Sequence, residues 1–182
     1  MAYADKMPTL IAFGGLPGVG KTALARALAL ELSATYLRID KIEQALRSSG
    51  LSPEEIGESG YLVAYALAES NLRLGAAVVA DSVNPVLASR TAWRGVAERA
   101  SAKIFEVEII CSDKDVHRHR VEARTEDIPG LHLPTWREIM ERRYDAWDRD
   151  RIVIDTAHCS PEEALVHLRR AIAAVDAMGG IN

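Results

Sequence analysis

Short apolar runs alternate with helix-like segments along most of the chain, and this pattern predicts the fold. The first run, residues 9–13 (TLIAF), ends in a glycine cluster. A continuous apolar run of this length is typical of a strand that is covered on both faces in a parallel sheet. Residues 22–32 (TALARALALEL) consist of strong helix formers and are apolar on nearly all sides, so we predict a helix packed deeply against that sheet. The chain therefore opens as strand, glycine loop and buried helix.

Four further apolar runs predict more strands. They cover residues 35–39, 76–80, 104–110 and 152–154, and helical patterns separate them. Alternation of this kind implies βαβ units, whose right-handed crossovers place helices on both faces of a parallel sheet. We therefore predict an α/β fold in three layers, with a five-stranded parallel sheet between two layers of helices.

Helix starts are marked by hydroxyl residues three positions before a glutamate. Ser52, Thr135 and Ser160 each occupy this position, and proline directly follows the two serines. Such a hydroxyl accepts a hydrogen bond from a backbone N–H of the first helical turn, so the pattern predicts three helix N-caps. Residues 84–85 and 112–115 carry weaker versions of the same signal.

Composition places the chain among ordinary globular proteins. Its 182 residues, 48% hydrophobic and 26% charged, fit one domain spanning residues 1–182. The formal net charge of −4 has the wrong sign for a protein that coats nucleic acid or an anionic membrane, although eight arginines within residues 118–151 allow a local basic surface. Cys111 and Cys159 have neither zinc-ligand nor disulfide-framework spacing. Because the first ten residues also lack an apolar signal segment, we expect a cytoplasmic protein without a membrane span.

The glycine loop after the first strand has the spacing of a phosphate-binding P-loop. Gly15 is followed by four residues and then by Gly20, Lys21 and Thr22. Glycines let the backbone curl so that successive N–H groups aim at phosphate oxygens, and the N-terminus of the next helix adds positive potential. Lys21 would bridge the β- and γ-phosphates of ATP, and the Thr22 hydroxyl would bind Mg²⁺. An incidental glycine-rich turn is the alternative, and the strand and helix on either side favour nucleotide binding.

Asp81 directly follows the 76–80 run, so its carboxylate would project into the crevice at the carboxyl end of a central strand. A carboxylate at that place suits Mg²⁺, either directly or through a metal-bound water. The alternative is a turn or a helix cap near Asn84. The next residue is Ser82, so a second carboxylate that could activate water is missing at this point.

Asp40 ends the 35–39 run in the same way and would stand on the same rim of the sheet. A carboxylate here could accept the proton of an acceptor hydroxyl, as the catalytic aspartate of phosphotransferases does. Aspartate is also an excellent N-cap, here for a helix over residues 41–47. The pattern alone does not separate these two roles.

An arginine-rich segment precedes an irregular stretch. Arg120 and Arg124 are four residues apart and share one helical face, with His117 on the same side. Residues 125–134 (TEDIPGLHLP) follow, and their two prolines and one glycine predict a surface loop. The two guanidinium groups could close over the γ-phosphate, because the transition state of phosphoryl transfer spreads charge over equatorial oxygens. A solvated arginine face paired with nearby carboxylates is the alternative.

Other large side chains are interpreted as packing residues. The five histidines lack a metal-ligating partner at a convincing spacing, so we interpret them as surface or packing residues. Tyr61 and Tyr65 stand one helical turn apart, which favours core packing over a wall of an acceptor pocket. Three tryptophans are predicted to anchor helices in the core: Trp93, Trp136 and Trp147.

Taken together, these segments resemble the small P-loop kinases, the group that contains polynucleotide 5'-kinase, chloramphenicol phosphotransferase, and zeta-toxin-like and gluconate-type kinases. The resemblance covers residues 9–175, and its most specific part is the P-loop GLPGVGKT. LRIDKIEQAL is similar to the acceptor-side aspartate segment, and VVADSVNPVLASRTAW to the third-strand segment. VHRHRVEAR followed by TEDIPGLHLP is similar to the arginine-bearing lid.

The resemblance implies a strand order of 2-3-1-4-5 and assigns roles within the site. Asp40 becomes the general base, Arg120 and Arg124 become lid arginines, and Arg118 would lie against the adenine. The lid would cover about residues 120–135, and residues 41–74 would choose the acceptor. The implied nucleotide-binding residues are Gly15, Pro17, Gly18, Val19, Gly20, Lys21, Thr22 and Arg118, with Thr22 and Asp81 at the metal.

One departure from the resemblance concerns the acceptor. Where the polynucleotide-kinase pattern has an arginine three residues after the base, this chain has Glu43, which would repel a phosphate-bearing acceptor. We therefore expect an ATP- and Mg²⁺-dependent transfer to the hydroxyl of an uncharged or cationic small molecule. A nucleotide-dependent ATPase or switch, and a polynucleotide 5'-hydroxyl kinase, are the alternatives.

Overall fold

The computed structural model describes residues 7–179, and within them the chain forms five strands and eight helices. The strands are β1 (Thr9–Gly14), β2 (Thr35–Arg38), β3 (Val78–Asp81), β4 (Lys103–Ile110) and β5 (Ile152–Asp155). The helices are α1 (Lys21–Leu32), α2 (Ile39–Ser48), α3 (Pro53–Ile56), α4 (Ser59–Arg73), α5 (Leu87–Arg99), α6 (Lys114–Glu122), α7 (Trp136–Glu141) and α8 (Pro161–Ala177).

All five strands form one parallel sheet in the order β2-β3-β1-β4-β5, which confirms the expected topology. The register brings three strand ends together, because Asp81 lies beside Phe13 on one side and beside Arg38 on the other. The loop after β1, the end of β2 and the end of β3 therefore meet at one edge of the sheet. Ligands of open parallel sheets bind at this edge.

Two helix layers cover the sheet, as predicted. On one face, α1 and α8 pack their apolar residues against side chains such as Ile11, Phe105 and Ile154. On the other face, α4 and α5 bury residues that include Leu72 and Trp93. The residues of the central strands β1 and β3 are almost completely buried, which explains why these strands appear in the sequence as continuous apolar runs, whereas the edge strand β5 alternates buried and exposed residues.

α1 packs against the sheet, as predicted, but it does so through one face although it is apolar on nearly all sides. Only the stripe that includes Leu24, Ala25 and Leu28 faces the core, whereas the Leu30 side chain is 73% exposed. A helix in an outer layer has one face in contact with the sheet. The apolar residues on its other face are strong helix formers, so they mark helix propensity rather than burial.

Most predicted helix starts are present. Ser52, Thr135 and Ser160 each form a complete capping box, and Asp113 caps α6. The weak signal at residues 84–85 is wrong, because α5 begins at Leu87 after Val86, without a side-chain cap. No helix within residues 7–179 is long and apolar enough to cross a membrane.

Trp147 does not anchor a helix, contrary to the prediction. It lies in the irregular segment between α7 and β5, and its ring stacks on the guanidinium of Arg90 at 4.1 Å. Arg90 is fully buried and donates hydrogen bonds to the backbone carbonyls of Asn84, Pro85, Asp145 and Ala146. One arginine from α5 thus fastens this segment to the loop after β3.

Arg90→Met should lower the free energy of unfolding by about 3 kcal/mol or more, because several buried carbonyls would lose their donor. Urea unfolding measures the change. Arg99→Met is the matched control on the same helix, since the Arg99 side chain is 54% exposed and its one ion pair within residues 7–179 is with Glu69. Its cost should stay below about 1 kcal/mol. Equal costs for the two variants would contradict the anchoring role of Arg90.

Candidate active site

The P-loop connects β1 to α1 and has the backbone conformation that phosphate binding requires. Gly15, Gly18 and Gly20 all have positive φ values, of 137°, 86° and 90°. The N–H of Gly15 donates to the carbonyl of Val83 at 3.0 Å, which ties the loop to the segment after β3. α1 begins without a side-chain cap, so the N–H groups of its first turn remain available to an anion.

Two buried side chains hold the P-loop from outside. The Nε2 atom of His117 lies 2.8 Å from the carbonyl oxygen of Pro17, and the Thr156 hydroxyl donates to the carbonyl of Val19 at 2.8 Å. The His117 ring also packs edge-on against Trp136, with ring centroids 5.0 Å apart. The interpretation of His117 as a packing residue is therefore confirmed, but its contact with the phosphate loop was not foreseen.

Gly15→Ala should damage both the fold and nucleotide binding. A Cβ at this position would lie 2.3 Å from the backbone carbonyl oxygen of Ile109, so β4 or the loop must shift. Gly50→Ala is a suitable control, because Gly50 also has a positive φ, of 98°, but a Cβ there would meet nothing within 4 Å. We expect Gly15→Ala to cost about 1–3 kcal/mol more than Gly50→Ala in thermal unfolding. In calorimetric titration, only Gly15→Ala should weaken nucleotide binding.

Lys21 and Asp81 form a buried ion pair beneath the loop. The Lys21 Nζ lies 3.1 Å from Asp81 Oδ1, and the Tyr36 hydroxyl donates to Asp81 Oδ2 at 2.7 Å. Burial raises the pKa of Asp81, but the charge of Lys21 and the hydrogen bonds from Tyr36, Lys21 and Thr22 outweigh it and hold that pKa below its usual value. Burial and the neighbouring Asp81 carboxylate raise the pKa of Tyr36, which keeps its hydroxyl a donor.

The same residues fit a magnesium ion. Within residues 7–179 no group of three or more His, Cys, Asp or Glu side chains is placed to hold a metal. A Thr22 hydroxyl near an ionised Asp81 could instead supply two oxygen ligands, which would suit an ion that completes its shell with phosphate oxygens and water. The alternative roles of Asp81 as a helix cap or turn residue find no support, because both carboxylate oxygens bind side chains of other elements.

Asp40 lies in the first turn of α2 and lines the cleft beside the P-loop. The alternative that Asp40 caps this helix is wrong, because the N-cap residue is Arg38 and no side chain caps the helix. The strand also ends earlier than predicted, at Arg38, so α2 begins directly from the sheet edge. One carboxylate oxygen of Asp40 lies 3.5 Å from Arg38 Nη2.

The cleft has a volume of about 650 Å³ and combines the phosphate loop with acceptor-side and lid residues. Its floor includes Gly18, Gly20, Lys21 and Thr22. Much of the remaining lining comes from α2, the segment that follows it, and the loop after α6, with further residues from α6 itself and from the end of α7. These residues include Asp40, Glu43, Arg47, Pro53, Arg124, Asp127, Leu131, Leu133 and Arg142.

Glu43 stands in this cleft, but it is not an isolated charge. Its carboxylate lies 3.3 Å from Arg47 one turn further along α2, and Arg142 faces the same cleft. Burial raises the pKa of Glu43, while Arg47 acts in the opposite direction. The two arginines therefore offset part of the negative charge that the sequence places beside Asp40.

The predicted lid arginines are arranged differently from the expectation. α6 ends at Glu122, so Arg124 follows the helix instead of sharing a helical face with Arg120. Arg120 donates to the Thr156 hydroxyl and carbonyl, both at 2.9 Å, which directs it toward the end of β5. Both arginines line the cleft. Arg118 does not, because it is exposed and pairs with Glu122 at 2.8 Å.

The residue that sequence reasoning missed is Arg38. Its side chain is 7% exposed and contacts carboxylates of β3, α2 and the loop after α6. A charged residue inside the apolar run TYLRI was the available signal, since an arginine in a buried strand needs acidic partners. The sequence did not reveal which carboxylates those are.

The sheet order and the P-loop together define the fold of a P-loop nucleoside triphosphatase. Residues 10–146 match the AAA domain family, and the chain belongs to that family. No curated protein matches the sequence at a significant level.

Solved structures from three bacteria share the fold. A protein from Chloroflexus aurantiacus has a TM-score of 0.70 at 20% identity, covering 94% of this chain and 99% of its own. A gluconokinase from Sinorhizobium meliloti has a TM-score of 0.62 at 18% identity, covering 95% and 98%. The Mycobacterium tuberculosis APS kinase in complex with AMPPNP and APS has a TM-score of 0.63 at 19% identity, covering 92% and 98%.

Proposed function

We propose that the protein is an ATP- and Mg²⁺-dependent phosphotransferase that moves the γ-phosphoryl group to a hydroxyl of a small molecule. The observation that carries the proposal is that Asp40 lines the same cleft as Gly18, Gly20 and Lys21. A phosphate-binding loop alone would suit many nucleotide-binding proteins. A carboxylate in the same cleft adds the proton acceptor that transfer to an alcohol requires.

On the nucleotide side, the N–H groups of the loop and of the first turn of α1 would bind the phosphates. Lys21 would exchange its contact with Asp81 for the β- and γ-phosphates, which leaves Asp81 and Thr22 as oxygen ligands for the metal. Asp81 and Thr22 would hold Mg²⁺ there, and the ion would offset the charge of the phosphates. Arg124, at the edge of the lid, would bring a further positive charge to the transferred group.

On the acceptor side, Asp40 would accept the proton of the attacking hydroxyl while the cleft holds that hydroxyl in line with the γ-phosphorus. Residues 41–74, which include Glu43 and Arg47, would choose the acceptor. Glu43 would favour an uncharged or cationic molecule over one that carries a phosphate, and Arg47 and Arg142, which offset part of its charge, would reduce this preference. The names of two proteins with the same fold, a gluconokinase and an APS kinase, support a small-molecule acceptor.

The loop after α6 would act as a lid, and the lid would cover about residues 120–135. It would be part of a single domain that spans residues 1–182. It supplies Arg124, Asp127 and Leu131 to the cleft. Closure would exclude water, which otherwise competes with the acceptor for the γ-phosphoryl group. Two free cysteines and the proposed use of ATP would fit a cytoplasmic enzyme.

A screen of metabolite and antibiotic alcohols with ATP and Mg²⁺ tests the proposal, with a mass gain of one phosphoryl unit as the readout. We expect at least one alcohol to gain the unit and to accelerate ADP formation. Strong ATP turnover that no alcohol changes, with no phosphorylated product, would instead favour an ATPase or a regulatory switch. Salt-dependent retention of single-stranded oligonucleotides would direct the search to nucleic-acid acceptors.

A further inference from the structure

Arg38 occupies the end of β2, where its buried guanidinium meets three carboxylates. Nη2 lies 3.5 Å from Asp40 Oδ2, and Nε lies 3.9 Å from Asp81 Oδ2. Both terminal nitrogens contact Asp127, with Nη2 at 3.0 Å from Oδ1. Arg38 therefore touches the proposed base, the proposed metal ligand and the lid loop at once.

The contact with Asp127 joins the lid loop to the acceptor side of the cleft. Asp127 lies 89 residues from Arg38 in the sequence, in the loop between α6 and α7. Gly130 also lies close to α2. The space beside its Cα is filled by Gln44, because a Cβ placed on Gly130 would be only 3.0 Å from the Gln44 amide nitrogen. Ile128, between these two positions, is 6% exposed. The loop thus rests on β2 and α2 rather than projecting into solvent.

The charges around Arg38 make Asp127 its strongest partner. Two cations, Arg38 and Lys21, stand among the carboxylates of Asp40, Asp81 and Asp127, and Lys21 is directed to Asp81. Both terminal nitrogens of the planar Arg38 guanidinium donate hydrogen bonds to the Asp127 carboxylate. This bidentate geometry is the one in which arginine binds a carboxylate best. The hydrogen bonds from Arg38 hold the pKa of Asp127 below its usual value, so the pair stays ionised at neutral pH.

We propose that Arg38 is a positioning residue whose bidentate pair with Asp127 holds the lid loop over the cleft, while the same guanidinium keeps the Asp40 carboxylate at the cleft wall. The inference rests on the proposed function for its catalytic consequence. The closed position of the loop brings Arg124 and Leu131 to the cleft that would hold the nucleotide and acceptor. Loss of the pair should release the loop and let bound nucleotide escape faster.

A double-mutant cycle with Asp127→Asn and Arg38→Lys tests the pair, because lysine keeps the charge but cannot form the bidentate contact. Hydrogen exchange of residues 124–135 is measured without nucleotide. Each single variant should raise exchange about 10-fold, and the double variant should raise it no further. Asp127→Glu should restore protection. Glu122→Gln is the matched control, since Glu122 is the exposed last residue of α6 and, within residues 7–179, its side chain pairs with Arg118 and not with the acceptor side of the cleft.

The second readout is the dissociation rate of a fluorescent ATP analogue in the presence of Mg²⁺. Asp127→Asn should speed release about 10-fold at unchanged melting temperature, and Glu122→Gln should not.

Unchanged exchange in Asp127→Asn, additive effects in the double variant, or faster exchange with unchanged release would overturn the proposal. Asp127 is half exposed, so its variants test the pair even if Arg38→Lys does not fold. Failure of the wild-type protein to bind the analogue would count against the proposed function. Hydrogen exchange of residues 124–135 would still decide whether the pair of Arg38 and Asp127 holds the loop.

Discussion

Replacing Asp40 by asparagine will abolish phosphoryl transfer and leave nucleotide binding within about twofold of wild type. The side chain keeps its shape but loses the charge that accepts the proton of the acceptor, and a positioned base contributes about 10²- to 10⁴-fold to the rate. Asp40 lines the cleft from α2 and not from the P-loop, so ATP should bind without it. Calorimetric titration with an ATP analogue and the mass-gain assay on the acceptor found in the screen measure the two effects.

Glu43→Gln is the control for Asp40, because Glu43 lies one helical turn further along α2 and faces the same cleft. The Glu43→Gln substitution removes one negative charge from the acceptor side of the cleft but leaves the proposed base, Asp40, in place. We expect a change in the KM for the acceptor with most of kcat retained. An Asp40→Asn protein that no longer binds nucleotide, or that transfers at the wild-type rate, would refute the assignment of Asp40 as the base.

Lys21→Ala will weaken nucleotide binding and turnover together. Lys21 would contact the phosphates in the ground state and more strongly in the transition state, where the transferred group carries more spread-out charge, so its removal should lower both affinity and kcat. We expect a Kd about 10- to 100-fold weaker, which corresponds to about 1.4–2.7 kcal/mol. The expected fall in kcat is about 10²- to 10³-fold, the usual cost of removing one group that stabilises transition-state charge. Titration with the ATP analogue and steady-state ADP formation give the two values.

The variant also leaves the buried Asp81 carboxylate without its cationic partner, so its stability must be measured beside its activity. A folded Lys21→Ala protein with weak binding supports the assignment, and thermal unfolding shows whether it is folded. Lys114→Ala controls for the loss of a lysine charge, because Lys114 is exposed at the start of α6 and should be neutral in both assays. Normal turnover in a folded Lys21→Ala protein would contradict the phosphate-binding role.

The parts of the fold that local sequence determines could be predicted. Buried parallel strands appear as apolar runs because both of their faces are covered, and capping boxes mark helix starts because they need only four adjacent residues. The phosphate loop is similarly local, since its glycines and Lys21 lie within eight residues. The strand order was confirmed, but it came from the resemblance to small P-loop kinases rather than from periodicity.

Contacts between distant segments could not be predicted in the same way. The pair between Arg38 and Asp127 depends on how the lid loop returns to β2, and neither residue has a sequence neighbour that indicates the other. Arg120 was expected at the γ-phosphate on the basis of helical spacing, whereas its hydrogen bonds with Thr156 direct it toward β5. The stacking of Trp147 on Arg90 likewise required knowledge of the tertiary fold.

The two contacts that hold the phosphate loop have a consequence for how the chain acquires its ligand. Pro17 is held by a residue 100 positions away, and Val19 by one 137 positions away. A nascent chain that has completed only β1 and α1 therefore lacks the two side chains that hold the phosphate loop. They become available only when α6 and the residue after β5 have folded into place. ATP should accordingly bind only the completely assembled molecule, and through that selective binding it should raise the melting temperature with the logarithm of its concentration above Kd.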